Sequence, residues 1–107
     1  MKMDYKVENK QLLTGFKDPV IMFLELSTGT LKMGDIIDDQ SKIITEDTEV
    51  YGIVAEDIDA SKGKVKIPIY VEGEFIIDYC NYGNVSKEEI IKKCKKQNIY
   101  LRKLGGK

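Results

Sequence analysis

The chain of 107 residues contains no histidine, which removes the usual general base and every Ser-His-Asp or Cys-His arrangement. It has only two cysteines, Cys80 and Cys94, and two thiols without an imidazole are too thin a donor set for structural zinc. One pair of cysteines does not establish a disulfide. No stretch approaches the ~20 apolar residues of a membrane span. The opening MKMDYKVENK lacks an apolar core of signal-peptide length, so the expected place of synthesis is a cytoplasm in which both thiols stay reduced. There is no internal repeat and no low-complexity linker. What remains is one soluble domain, expected to have no metal, no cofactor, no membrane partner and no enzymatic activity.

A formal net charge of -1 argues against general affinity for nucleic acid, but the average conceals a division. Residues 1–85 carry nine Lys against sixteen Asp and Glu (net -7), and residues 86–107 carry eight Lys and Arg against two Glu (net +6).

Residues 51–79 are the most strongly patterned stretch. A short strand ending at Ala55 leads into an acidic turn, and alternation then begins at Val65. Val65, Ile67, Ile69, Val71, Gly73, Phe75, Ile77 and Tyr79 occupy the odd positions. A period of two assigns them to one face of a sheet. Pro68 cannot donate to a ladder, which places its strand at an edge or at a bulge. An edge so long and apolar needs a cover from the same subunit, a copy or a partner.

Upstream, the run Val20-Ile21-Met22-Phe23-Leu24-Glu25-Leu26 lies between Asp18-Pro19 and Ser27-Thr28-Gly29 and reads as a buried strand. Gly34 splits two short apolar pieces, Leu31-Lys32-Met33 and Asp35-Ile36-Ile37, and residues 42–45 read as another short strand. Downstream, Ser86 with Glu89 three residues on forms a capping box, with Val85 stapled to Ile90. In the helix that follows, Ile90, Ile91 and Cys94 share a face, and Lys92, Lys93, Lys95 and Lys96 crowd the last turns. Asn98 should stop it, and Ile99, Leu101 and Leu104 suggest a short terminal strand or extended segment. The fold class expected is a small, irregular, mainly β domain with one C-terminal α-helix.

Candidate chemistry is sparse. Asp57, Asp59 and Ser61 alternate as in the start of a calcium loop, but Lys62 stands where that loop needs glycine and Pro68 where it needs Glu, so an acidic turn is the better reading. The lysines at 92–96 lack interleaved aromatics and read as a solvated face. Residues 1–11 are polar, with isolated apolar residues and no period; such a terminus either frays or acts as an arm that adds a strand to a partner's sheet.

Gly52-Ile53-Val54-Ala55-Glu56-Asp57-Ile58-Asp59-Ala60, followed by Ile69-Tyr70-Val71-Glu72-Gly73-Glu74-Phe75, resembles the head decoration protein family of tailed bacteriophages. The likeness extends upstream through Thr28-Gly29-Thr30-Leu31-Lys32-Met33-Gly34-Asp35-Ile36-Ile37, and downstream through the helix after Ser86 and Asn98-Ile99-Tyr100-Leu101-Arg102. The resemblance implies a β-clip-like fold and a homotrimer on the outer surface of the virion's expanded head. There it would sit at three-fold positions and brace major capsid protein subunits, without contacting nucleic acid directly. It also implies a division into a flexible capsid-binding arm, residues 1–14, and a decoration domain, residues 15–107. The arm's apolar residues Met3, Tyr5, Val7, Leu12 and Leu13 are then the candidate contacts. Where the family has a polar Asn after Phe75 this chain has Ile76, and the loop Asn81-Tyr82-Gly83-Asn84 is its own. The alternative is a β-clip module that binds a small molecule or serves as an accessory to an enzyme.

Overall fold

The apolar runs become strands in a computed structural model that describes Leu12, Leu13 and residues 18–103. In chain order the elements are β1 (Val20–Leu26), β2 (Thr30–Leu31), β3 (Ile36–Ile37), β4 (Gly52–Val54), β5 (Ile58–Asp59) and β6 (Val65–Ile76). A 3-10 turn (Ile77–Tyr79), helix α1 (Lys87–Lys95) and β7 (Ile99–Arg102) follow. The domain is mainly β with one helix near its C-terminus.

The principal sheet runs β1-β6-β4-β3, with β7 added parallel to the end of β6, and β2 and β5 form a separate antiparallel pair. Residues 42–45 contribute a single bridge, Ile43 to Ile37, rather than a strand. β6 is therefore the spine, and two apolar clusters form around it. One gathers Tyr70, Phe75, Ile53, Ile90, Cys94 and Ile99, and the other gathers Ile67, Ile69, Val54, Ile37, Leu31 and Leu26.

The alternation of β6 does not hold along its length. Ile67 and Ile69 face the second cluster as expected, but Phe75, at another odd position, packs in the first beside Tyr70, with ring centroids 5.1 Å apart. The cause is a slipped register: Ile21 pairs with Tyr70 and Val20 with Glu72, so Val71 is an extra residue on β6. One inserted residue exchanges the two faces of everything beyond it. Gly73 follows at φ +145, where a Cβ would sit 2.8 Å from the Phe75 ring and 3.2 Å from Pro19 Cα. Glycine lets the strand re-aim there.

Pro68 also stands differently from the expectation. Its strand is central, between β1 and β4, and the register slip lies beyond it, at Val71. The proline is accommodated because β4 ends at Val54: the next residue, Ala55, donates its N–H to the Pro68 carbonyl at 3.0 Å as the chain leaves the sheet. The ladder bond that proline cannot make falls where its neighbour is departing.

At α1 the Ser86 hydroxyl accepts from the Glu89 N–H at 3.1 Å, and Asn98 adopts φ +66 beyond the last turn. The buried face, however, is Ile90, Lys93 and Cys94, and Ile91 is turned to solvent. Lys93 lays its stem along the core and donates from Nζ to the carbonyls of Thr48 at 2.7 Å and Glu46 at 3.2 Å. That satisfies a cation only 6% exposed and ties the 45–48 turn to the helix.

Candidate interaction surface

Among the described residues β1 is an edge strand, pairing only with β6, which corrects the reading of it as buried. Its even positions run toward the second cluster, where Leu26 is buried and Leu24 half-buried, and Ile21 on the other face packs against the first. The outer half of the strand extends past both: Val20 is 43% exposed, Met22 49% and Phe23 48%. Covering three half-exposed side chains of this size contributes roughly 3 kcal/mol, at ~25 cal/mol per Å² of apolar surface. At the other end of the strand Glu25 faces Lys66 in register and lies 4.0 Å from Lys64. Such an exposed pair adds little stability but places charge where an apolar edge would otherwise stack on itself. The arrangement can grip an apolar, extended partner; it has no group that does covalent chemistry.

The acidic turn is occupied with its own backbone. Asp57 accepts from the Met33 N–H at 3.0 Å, joining the β4–β5 turn to the β2–β3 turn. Asp59 accepts from the Ser61 N–H at 2.9 Å, and the Ser61 hydroxyl and N–H hold its carboxyl below the usual range. Asp35, buried, accepts from Lys32 N–H at 2.8 Å and from the Asn81 amide at 3.0 Å, which fastens the 81–84 loop onto the segment after Gly34. Glu74, buried, pairs with Arg102 across β6 and β7. Among the described residues no group of three His, Cys, Asp or Glu could hold a metal ion.

Of the sequence-predicted arm residues, Met3, Tyr5 and Val7 lie outside the described residues. Leu12 and Leu13 are placed in the domain. Leu12 is 1% exposed within the first cluster, its carbonyl accepts from Ile76 N–H at 2.7 Å, and Leu13 forms an antiparallel bridge with Phe75. The exposed trio on β1 escaped the sequence reading because an uninterrupted apolar run carries no mark of which strand ends up outermost.

Three acids, Cys94 and Tyr70 buried and Cys80 half-buried beside them, give the core a pH limit. Burial pushes the Cys94 thiol up to about 12, and burial, the neighbouring Cys94 and Asp78 do the same for Cys80. Burial, then the charge of Glu56, raises Tyr70 to about 12, and its hydroxyl is buried with no hydrogen-bond partner. All three are neutral when folded, so their contribution is intact below the ordinary thiol value of 9.0. As pH rises from there toward 12 the unfolded chain releases protons that the fold retains, and stability falls by about 1.4 kcal/mol per pH unit for each retained proton. Urea midpoints should therefore be level from pH 7 to about 8.5 and drop steeply by pH 11, with Cys94→Val making the drop shallower. A midpoint unchanged up to pH 11 would show that these groups are not buried as described.

No protein-family model matches the chain, and a search of curated proteins also returns no match.

Proposed function

We propose that this chain is a capsid decoration protein, a non-enzymatic trimer that binds the outside of an expanded phage head and braces its major capsid protein subunits. The observation that carries the reading is the apolar outer half of β1: Val20, Met22 and Phe23 are each about half-exposed on a strand whose other end is anchored in the core. A cementing protein acts through shape, an open edge and apolar surface rather than reactive groups.

The resemblance to decoration proteins supports the same reading, and its blocks fall on the joints of this fold. Residues 52–60 comprise β4, the acidic turn and β5; residues 28–37 comprise β2, the Gly34 turn and β3; residues 69–75 carry the register slip and Gly73. These blocks are held to one another by the Asp57 to Met33 bond and by the Gly34 N–H donating to the Val54 carbonyl at 2.9 Å. Each single contact on a head contributes modestly, but a trimer binds its second and third sites at a high effective concentration once the first is held.

The test is cosedimentation of the full chain with expanded heads, alongside a sizing measurement. The wild type should pellet with heads as a trimer. Val20→Lys with Met22→Lys should keep its circular dichroism spectrum, because both residues are already exposed, and lose at least tenfold in head affinity. A wild-type monomer that stays in the supernatant overturns the reading.

A further inference from the structure

We propose that copies of this chain meet head to tail, the lysine face at the end of α1 on one copy lying against the acidic turn between β4 and β5 on the next. The inference rests on the trimer reading above and names its subunit contact. Lys92, Lys95 and Lys96 are exposed, and the ion pairs among the described residues, Lys64 with Glu25 and Arg102 with Glu74, use none of them. Ile91, 37% exposed, borders that face one turn before Lys95. The complement is present in the chain itself, since residues 1–85 are net -7 and residues 86–107 net +6.

Position selects the acidic group. The turn at 45–48 is tied to α1 of its own copy by Lys93, so it lies on the helix's side of the molecule. The β4–β5 turn instead adjoins the second cluster, which contains Val54 and Ala60, whereas α1 packs on the first through Ile90 and Cys94. Two different surfaces on one subunit are what a closed ring of three requires. Asp57 and Asp59 are already fixed by the Met33 and Ser61 N–H groups, so pairing orders few new rotors. A polyanion is the poorer partner, because the acidic majority of the chain would repel it. Exposed ion pairs contribute little apiece, so this contact sets register and speeds encounter while Ile91 adds apolar contact.

Sedimentation equilibrium on the full chain tests it at about 50 mM and about 0.5 M salt, with circular dichroism confirming that each variant is folded. Lys92→Glu with Lys95→Glu and Lys96→Glu should weaken self-association at least tenfold at low salt, as should Glu56→Lys with Asp59→Lys. All five changes in one chain restore complementarity and should bring association back to within about threefold of wild type. High salt should weaken the wild type and the five-fold variant alike. One-sided reversals that assemble as wild type, a five-fold variant that does not recover, or a wild type that is monomeric at both salts would each overturn the contact. Self-association that responds as expected in a protein that ignores heads defeats the decoration reading alone. Trimers that bind heads but disregard the reversals defeat this contact alone.

Discussion

Gly34→Ala is expected to lower the melting temperature by roughly 15 °C, and Gly29→Ala by only about 5 °C. The two glycines share a backbone conformation, at φ +94 and φ +88, and differ in what surrounds them. A Cβ at Gly29 meets nothing within 4 Å, so alanine there bears only the cost of a left-handed conformation, about 1 kcal/mol. A Cβ at Gly34 would overlap the Tyr79 carbonyl oxygen and come within 3.6 Å of Cys80 Cα. That atom belongs to backbone and cannot swing aside. Moving it disturbs three joints together, because Gly34 donates to Val54 and accepts from Asn81 while Ile36 donates to the Asn81 carbonyl, each at 2.9 Å. Overpacking of this kind adds about 1–3 kcal/mol to the conformational cost, a large share of the ~5–15 kcal/mol of a domain this size. Differential scanning calorimetry of both variants isolates the contact from the conformation. Equal shifts would mean that the 79–81 segment does not lie against Gly34.

Much of this architecture is legible in the sequence wherever a local rule acts alone. Ser86 with Glu89 and Asn98 mark the ends of the helical segment because capping is decided within a few residues of chain. Gly34 divides β2 from β3 as its position suggests. Periodicity misleads where tertiary structure intervenes. In α1, Ile91 and Lys93 exchange their expected places: the 45–48 turn presents the Glu46 and Thr48 carbonyls beside the helix, and the long Lys93 side chain reaches them with Nζ. In β6 the alternation of Val65 to Val71 is real, but one bulged residue sends Phe75 to the opposite cluster, and the letters of the sequence are the same either way.

The interaction surface was harder to read for a related reason. Strand order is non-local: Val20, Met22 and Phe23 are exposed because β1 pairs with β6 while β4 and β3 occupy the other flank. Nothing in residues 20–26 encodes that. Leu12 and Leu13 show the converse, since a polar terminus conceals two residues whose partners, Ile76 and Phe75, lie more than sixty positions away.

That placement separates two roles that the sequence combines in residues 1–14. Removing residues 1–10 should leave a folded domain whose melting temperature changes by no more than a few degrees, and should abolish cosedimentation with expanded heads. Removing residues 1–14 should in addition destabilise the domain by about 3–5 kcal/mol, because it deletes a side chain 1% exposed in the first cluster. It also leaves the Ile76 N–H without the Leu12 carbonyl that it bonds at 2.7 Å. A donor that loses its acceptor costs a further ~1–3 kcal/mol where water cannot replace it. Leu12→Ala in the full chain reproduces the packing loss without touching the rest of the segment, so it should lower the urea midpoint and keep head binding at temperatures where the variant is folded. The pair of truncations then reads the two functions independently. If the shorter truncation still decorates heads, the segment before Leu12 is not an arm. If the longer one is as stable as the full chain, Leu12 does not hold the core together.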